Sequence, residues 1–414
     1  MIIDEQTRRG YEANIWKSYL YQFLLSFQLW WPIWVVYLTD MRGLSLTQIL
    51  ALDSIFWLII VIAQVPAGAV ADRWSRKGAL LLASLSLAIG ILVFGLATNY
   101  VIILLSYAAW ALAIAFQTGA DNALVYDTLR MLGRESEFQK VAGRMWAMVS
   151  LGVIGGLLAG APLAAATDLS FPILISAGIA ALGALAALSL REPTVAHAEG
   201  AHAPSFASLI RESALLAYRR PTVRYVLLYA AVLGVASFVP IVFVQPFLER
   251  HDVAISDLGW FQVPNRLVGM LAALAAYRIS ASLGERRTFF VMPAVLVLSY
   301  VLLAGWDSAY AYAAFPIVTL VATMANPVVA DYLNRRIPSA QRATILSIRQ
   351  LLFSLLVAPA APLFGVVADQ MSLLAAFGAA AILLAPIPPI LWLWWHSETR
   401  EAPWEAVAAA PALE

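Results

Sequence analysis

Twelve long apolar runs constrain this chain more than any other feature of its sequence. A helix needs about 20 residues to cross the ~30 Å hydrocarbon core of a bilayer, and the runs are close to that length. They are much longer than the short alternating segments of an outer-membrane barrel. We therefore predict an all-α integral membrane protein with twelve transmembrane helices, which we number as spans one to twelve. They lie near Trp16 to Thr39, Leu46 to Ala71, Gly78 to Ala97, Tyr100 to Asp127, Val141 to Ala166, Phe171 to Leu190, Val223 to Leu248, Ile255 to Ile279, Thr288 to Gly305, Tyr310 to Asp331, Ala343 to Ala368 and Leu373 to Trp395.

Composition excludes several other classes of protein. The chain has 414 residues, of which 62% are hydrophobic and 12% charged, against roughly 25% charged residues in a soluble domain. The net charge of +1 argues against a nucleic-acid partner, which requires a basic excess. Because the chain has no cysteine and its four histidines lie outside the apolar runs, we expect no metal site and no cofactor. No phosphate-binding glycine-rich loop occurs, so we do not expect direct use of ATP.

Basic residues predict the orientation of the spans. Lys and Arg in short loops are retained on the cytoplasmic side of a membrane. Most of the 26 basic residues fall on one side of the predicted membrane, and the loops of the opposite side contribute only Arg42 and Arg250. Both termini are therefore expected to be cytoplasmic, which agrees with an even number of spans.

The longest polar stretch contains the chain midpoint, with six spans on each side. Its second part places apolar residues at helical spacing beside arginines, which predicts an amphipathic helix on the membrane surface, with an ordinary linker helix as the alternative. We predict four parts: a six-helix bundle at 1–190, a cytoplasmic linker with the amphipathic helix at 191–222, a second six-helix bundle at 223–396 and a cytoplasmic tail at 397–414.

The two halves also share a local pattern that indicates duplication. Span four ends at Asp127 and span ten at Asp331, and each aspartate is followed by an arginine at the start of the next span, Arg144 and Arg349. We expect these aspartates to act in a gate or in structural pairs, with Arg76, Arg144 or Arg349 as their partners. Duplicated halves are typical of transporters that rock one bundle against the other around a central site.

The loop between spans two and three contains the most specific motif, with Gly68, Asp72, Arg73, Arg76 and Lys77 at fixed spacing. It resembles the signature loop of the major facilitator superfamily, both in its residues and in its position after the second of twelve spans. The resemblance implies the major facilitator fold, with two pseudo-symmetric six-helix bundles, and a gating role for the loop. Gly68 is expected to permit close helix packing. Asp72 is expected to accept hydrogen bonds from the amino end of a neighbouring helix.

Segments around Gly119 to Asp127 and Arg342 to Ser347 resemble bacterial superfamily members that are often labelled as drug-efflux proteins. This resemblance implies a multi-pass protein of the bacterial inner membrane. The chain departs from the proton-antiport branch in span four, where Ile114 replaces an arginine. In span five the glycines Gly152, Gly156 and Gly160 stand with altered spacing, and glycines at this spacing also let helices approach closely.

Ionisable residues inside a span are costly, so each is a functional candidate, with a neutralising structural pair as the alternative. Asp53, Asp121, Arg266 and Arg349 lie well inside the predicted spans. Asp53 and Asp121 are candidate proton carriers. Arg266 is expected to meet substrate, or to be held by an acid or by backbone carbonyls of span five.

Two pairs of residues extend this candidate site. Trp57 follows Asp53 by four residues in span two, and Arg266 follows Gln262 by four in span eight. Residues four apart share a helix face. If the superfamily arrangement holds, both faces flank the central cavity.

Span one contributes Gln22, Trp30 and Trp34 to the candidate substrate site. Tryptophans concentrate at membrane surfaces, but Trp30 and Trp34 are four residues apart and are also suited to stacking on a flat or cationic ligand. Both interpretations of the aromatic residues remain open from the sequence.

The predicted function is secondary active transport of a small amphipathic or lipophilic solute by alternating access, with export coupled to protons. The alternatives are an ion-coupled uptake symporter and a transporter of lipid-like amphiphiles. No cluster of catalytic side chains occurs on the spans, so we do not expect an enzyme. The expected partners are the solute, protons or another coupling ion, and the lipid bilayer, and the protein is expected to be a monomer.

Overall fold

The computed structural model of the chain describes residues 4–193, 211, 215, 221–335 and 339–399. This part of the chain is helical, with short turns and no strand. The predicted amphipathic linker helix and the tail lie outside the described residues. The helices are α1 Glu5–Ser26, α2 Trp34–Val36, α3 Leu46–Arg73, α4 Arg76–Leu96, α5 Tyr100–Gln117, α6 Ala120–Met131, α7 Phe138–Ala166, α8 Phe171–Ser189, α9 Pro221–Arg250, α10 Leu258–Leu283, α11 Glu285–Gly305, α12 Ala314–Asn334, α13 Ser339–Gln370, α14 Leu373–Leu384 and α15 Ile387–Thr399.

Eleven helical segments in the described part of the chain are long and apolar enough to cross a membrane. Span one accounts for the difference from the twelve predicted. Its helix α1 ends at Ser26, and the span resumes only at α2, which continues as a π turn over Tyr37–Met41. The predicted continuous helix was therefore wrong over residues 27–33, which we call the span-one break. Pro32 lies in this break, lacks a backbone N–H and restricts the residue before it.

Span four is also divided in the middle. Helix α5 ends at Gln117 and α6 begins at Ala120, with Gly119 between them at φ 86°. Glycine adopts a positive φ without the steric cost that a Cβ imposes. The span predicted as a single helix is therefore two helices that meet at Gly119.

Polar side chains define where several helices begin. Ser45, Ser75, Asn99 and Ser372 each accept a hydrogen bond from the backbone N–H three residues later. Such N-caps satisfy backbone donors that the first helical turn leaves unpaired. They fix the helix starts that the apolar pattern predicted only approximately.

Backbone contacts divide the chain into two compact units. One contains the described residues within Met1–Pro204 and Gln245–Arg266, and the other those within Ser205–Val244 and Leu267–Glu414. In the first unit α4 packs against α5 and α8, and α1 packs against α7. In the second unit α11 packs against α12 and α14. The boundaries predicted for the two bundles stay a prediction.

Candidate functional site

The span-one break lies inside the first predicted span, and side chains pair with its backbone. Gln245 of α9 donates from Nε2 to the Trp31 carbonyl oxygen at 3.0 Å and accepts from the Val35 N–H at 2.9 Å. Gln262 of α10 donates to the Pro32 carbonyl oxygen at 2.9 Å. Both glutamines are buried. Irregular backbone persists in a membrane only where protein or water satisfies its polar groups, and these two glutamines supply that pairing. Gln245 is not among the site residues predicted from the sequence.

The glycine stripe of α7 packs directly on this part of span one. A Cβ at any of its three members would lie less than 3.0 Å from a backbone carbonyl oxygen. The pairs are Gly152 with Phe23, Gly156 with Gln28, and Gly160 with Leu29. The predicted close approach is confirmed, but the surface that it serves is an interrupted segment rather than a regular helix over its whole length.

An aromatic cluster packs beside the break in the first unit. It consists of Trp30, Phe56, Phe94, Tyr107 and Trp110, and the ring centroids of Phe56 and Trp110 are 4.4 Å apart while those of Trp30 and Trp110 are 5.2 Å apart. A cavity of about 20 Å³ lies among the rings of Trp30, Phe94, Tyr107 and Trp110, which is enough for about one water molecule. Trp30 is buried in the cluster, packed between other aromatic rings.

Trp34 is also buried, and its ring centroid lies 6.4 Å from that of Trp31. Its ring therefore packs inside the protein. Trp57 lies at the edge of the aromatic cluster, 5.6 Å from Phe56 between ring centroids. The sequence groups Trp30, Trp34 and Trp57 as site candidates, and the structure shows that each of them packs against other aromatic rings.

Asp53 of α3 is 5% exposed. Its Oδ2 atom is buried and has no hydrogen-bond partner in the described part of the chain. Phe56 and Trp57 follow it by three and four residues on the same helix face. Asp53 is therefore a carboxyl group in an apolar, largely aromatic setting, and no basic residue among those described pairs with it.

Asp121 has a different environment at the division of span four. It lies in the first turn of α6, where Gln22 of α1 donates to its Oδ2 at 2.8 Å and the Asn122 N–H donates to its Oδ1 at 2.7 Å. Gln117 at the end of α5 donates to the Gln22 side-chain oxygen at 3.1 Å. The structure thus brings together two predicted site residues, Gln22 and Asp121, in one hydrogen-bonded chain.

Arg266 shares a face of α10 with Gln262, and this face meets the span-one break. The central guanidinium carbon of Arg266 lies 5.5 Å from the centroid of the Trp31 ring, which is within cation–π distance. The side chain is exposed. Among the described residues no carboxylate and no carbonyl oxygen bonds to it. The structural alternative from the sequence, an acid or carbonyls of span five, is therefore absent in this part of the chain.

Arg76 of the signature loop forms a largely buried ion pair with Asp127 of α6, and Arg76 also donates to the Ala123 carbonyl oxygen at 2.8 Å. Of the partners considered for Asp127, the structure selects Arg76. Arg144 is exposed and forms no ion pair with a described residue. The side chain of Arg73 lies outside the described residues.

Glu192, which lies in the predicted linker, supplies the carboxylate at the start of α4. It accepts hydrogen bonds from the N–H groups of Arg76 and Lys77 at 2.9 and 2.8 Å and from the Ser75 hydroxyl at 2.6 Å. An anion is stabilised at such a helix amino end. Asp72, expected in a comparable role, is exposed and has no hydrogen-bond partner among the described residues.

Two further predictions for the gating motif differ from the structure. A Cβ at Gly68 would meet no atom within 4 Å, so the expected close helix packing at Gly68 is wrong for this structure. In the second unit, Asp331 pairs with Arg335 one helical turn away at 2.6 Å rather than with Arg349. Arg349 forms no ion pair with a described residue.

Residues 20–362 of the chain match the protein-family sequence model of the Major Facilitator Superfamily. No curated protein matches it by sequence.

Several solved structures share the fold. The nucleoside transporter NupG has a TM-score of 0.76 and 16% identity, covering 94% of this chain and 98% of that one. A bacterial homolog of the human lysosomal transporter Spinster, in an inward-facing and unoccupied conformation, has a TM-score of 0.72 and 17% identity, covering 97% and 99%. The POT family transporter PepTSo has a TM-score of 0.69 and 12% identity, covering 94% and 99%. At these identities the likeness concerns the fold alone.

Proposed function

The chain belongs to the Major Facilitator Superfamily, and from this membership we propose that it moves a small amphipathic organic solute by secondary active transport with alternating access. It is a multi-pass membrane transporter of this superfamily. The proposal adds that the energy source is an ion gradient, and that the solute-binding region includes the span-one break.

The direction of transport, the location and the oligomeric state are proposed from the sequence. The protein exports its solute in exchange for inward protons, as the resemblance to members labelled as drug-efflux proteins suggests. It lies in the bacterial inner membrane with both termini in the cytoplasm, as its basic loops suggest. It works as a monomer and has no enzymatic activity of its own.

The observation that carries proton coupling is the isolated carboxyl group of Asp53. Burial without a partner strongly disfavours an ionised carboxylate, because its hydration is lost and nothing replaces it. Asp53 is 5% exposed and its Oδ2 has no partner among the described residues. It therefore rests as the neutral acid. When a change of conformation admits water or solute, the same group releases its proton, and this coupling drives transport.

Asp121 is the less suitable proton carrier of the two. Hydrogen bonds from Gln22 and from the Asn122 N–H stabilise its ionised form. We assign it to holding the two halves of span four against α1. Asp121→Asn would keep one side-chain oxygen, which could accept from Gln22 or from the Asn122 N–H but not from both at once.

The test is solute accumulation in proteoliposomes with and without a pH gradient. The wild-type protein is expected to accumulate labelled amphipathic compounds against their gradient only when a pH difference is imposed. Asp53→Asn is expected to abolish this uphill accumulation while exchange down a solute gradient continues. Reversing the pH gradient distinguishes export from uptake symport.

Glu135→Gln is the matched control, since Glu135 is an exposed carboxylate whose nearest basic group, on Arg130, is 3.7 Å away. This variant should transport like the wild type. Full pH-driven accumulation by Asp53→Asn would remove Asp53 as the proton carrier. Accumulation that does not respond to pH in the wild type would contradict proton coupling itself.

A further inference from the structure

Arg266 carries its charge deep along a membrane-spanning helix. It is eight residues beyond the first residue of α10, or about 12 Å along the helix axis. An arginine at such depth is unfavourable unless it meets an anion, water or backbone acceptors. No described residue supplies a carboxylate or a carbonyl oxygen to it, and its side chain is exposed. The acceptors that Arg266 requires must therefore come from outside the described protein.

The Trp31 ring lies beside this arginine, with 5.5 Å between its centroid and the central guanidinium carbon. Gln245 donates to the backbone carbonyl of Trp31, and Gln262 donates to that of Pro32. These hydrogen bonds hold the backbone that carries the Trp31 ring. A guanidinium stacked on an aromatic ring uses its flat face and leaves its N–H edge available. That edge has two parallel donors, which match the two oxygens of a carboxylate or phosphate.

The other ionisable groups of the first unit favour an anion at this position. Asp53 is buried, and Asp121 is half-buried and occupied by Gln22 and Asn122. Of the three ionisable residues predicted well inside the spans of this unit, Asp53, Asp121 and Arg266, only Arg266 is exposed. A ligand that reaches this face of α10 therefore meets a positive charge beside an aromatic wall.

We propose that Arg266 and Trp31 bind an anionic group, a carboxylate or a phosphate, of the transported solute. The proposal rests on the transport function and adds the substrate class, an amphipathic organic anion. The anionic group bonds to the free edge of the Arg266 guanidinium. The flat apolar part of the solute lies against Trp31, which is backed by Trp34 with 6.4 Å between the ring centroids.

The test measures binding to the purified full-length protein by ligand-induced shifts in melting temperature, since a ligand of the folded state raises that temperature. The probes share one ring system: naphthoate, naphthyl phosphate, the neutral naphthamide and the cationic naphthylmethylamine. Phosphatidylglycerol in mixed micelles is a separate arm that supplies a lipid phosphate. The variants are Arg266→Gln, Arg266→Lys and the matched control Arg130→Gln, which removes an exposed arginine of α6.

Wild type and Arg130→Gln should bind the two anionic probes at least about tenfold more tightly than the amide, and Arg266→Gln should remove this preference. Arg266→Lys should fall between, because an ammonium group keeps the charge but lacks the planar pair of donors. If Arg266→Gln yields no folded protein, the binding preference of Arg266→Lys provides the test instead.

The proposal would be overturned by equal binding of amide and acid, by an unchanged anion preference in Arg266→Gln, or by no response of the wild type to either naphthyl anion. A response to phosphatidylglycerol alone would assign the site to a lipid headgroup and also overturn it. The assay needs no pH gradient, so loss of proton-driven transport would contradict the proposed function and leave this site intact. Uphill, proton-driven transport of neutral solutes only would support the proposed function and contradict the anion site.

Discussion

Replacing Gly156 by alanine tests whether the glycine stripe of α7 exists to accommodate the span-one break. A Cβ at Gly156 would lie 2.6 Å from the Gln28 carbonyl oxygen and 3.0 Å from its carbonyl carbon. The first distance is about 0.9 Å shorter than the ~3.5 Å at which non-bonded atoms pack favourably. The atoms that would have to move belong to backbone, three residues before the Trp31 carbonyl that Gln245 holds. The substitution therefore strains the break itself.

Gly143 provides the control because it lies in the same helix and a Cβ there would meet nothing within 4 Å. Both substitutions gain the helix propensity of alanine, about 1 kcal/mol. The difference between the two variants therefore isolates the overlap at Gly156. Overpacking of this kind costs about 1 to 3 kcal/mol. Gly156→Ala should be less stable than Gly143→Ala by that amount.

The assay is the melting temperature of each purified variant in one detergent, followed by tryptophan fluorescence and by the monodisperse fraction that survives heating. The expected order is Gly143→Ala at or above the wild type and Gly156→Ala clearly below it. Gly156→Ala melting at the same temperature as Gly143→Ala would refute the reasoning, because α7 and the break would then have room to separate at no cost. Equal losses in both variants would refute it as well.

Three further substitutions test the polar contacts of the first unit. Gln245→Leu should lower stability by about 2 to 4 kcal/mol, because it leaves the Trp31 carbonyl and the Val35 N–H unpaired, and melting temperature measures the loss. Glu192→Ala should cost about 1 to 2 kcal/mol because the Arg76 and Lys77 N–H groups lose their carboxylate acceptor, whereas the exposed Glu12→Ala should melt like the wild type. Asp127→Asn should lower the free energy of unfolding by about 3 to 5 kcal/mol, because it leaves the charge of Arg76 without its carboxylate partner. A stability equal to the wild type would contradict the pairing.

The lengths of the apolar runs predicted the helical spans well because crossing a bilayer demands a minimum helix length. The span-one break could not be predicted in the same way. Pro32 is visible in the sequence, but Pro66, Pro162 and Pro264 lie inside continuous helices. What distinguishes span one is pairing with Gln245 and Gln262, which lie more than 200 residues later in the chain. Local sequence carries no information on such pairing.

The candidate site was predictable where a charge stands inside an apolar run. Asp53, Asp121 and Arg266 were identified on that ground, and the structure places each of them in the first unit, in three different environments. Gln245 was overlooked although a single amide within an otherwise apolar span is the same kind of signal. Glu192 gave no comparable signal, because it lies in a polar stretch where charged residues are ordinary. The hydrogen bonds of Glu192 to Ser75, Arg76 and Lys77 form only because the chain after α8 passes beside the start of α4.

The pairing of Gln245 with span one has a consequence for the order of biosynthesis. A ribosome releases the first six spans before residues 245–266 exist, so the Trp31 carbonyl and the Val35 N–H have no glutamine to bond during that interval. The first half of the chain therefore enters the membrane with an incomplete span, and span seven completes it on arrival. A truncated protein ending at residue 190 would keep the six apolar runs but lack the residues that close the first one.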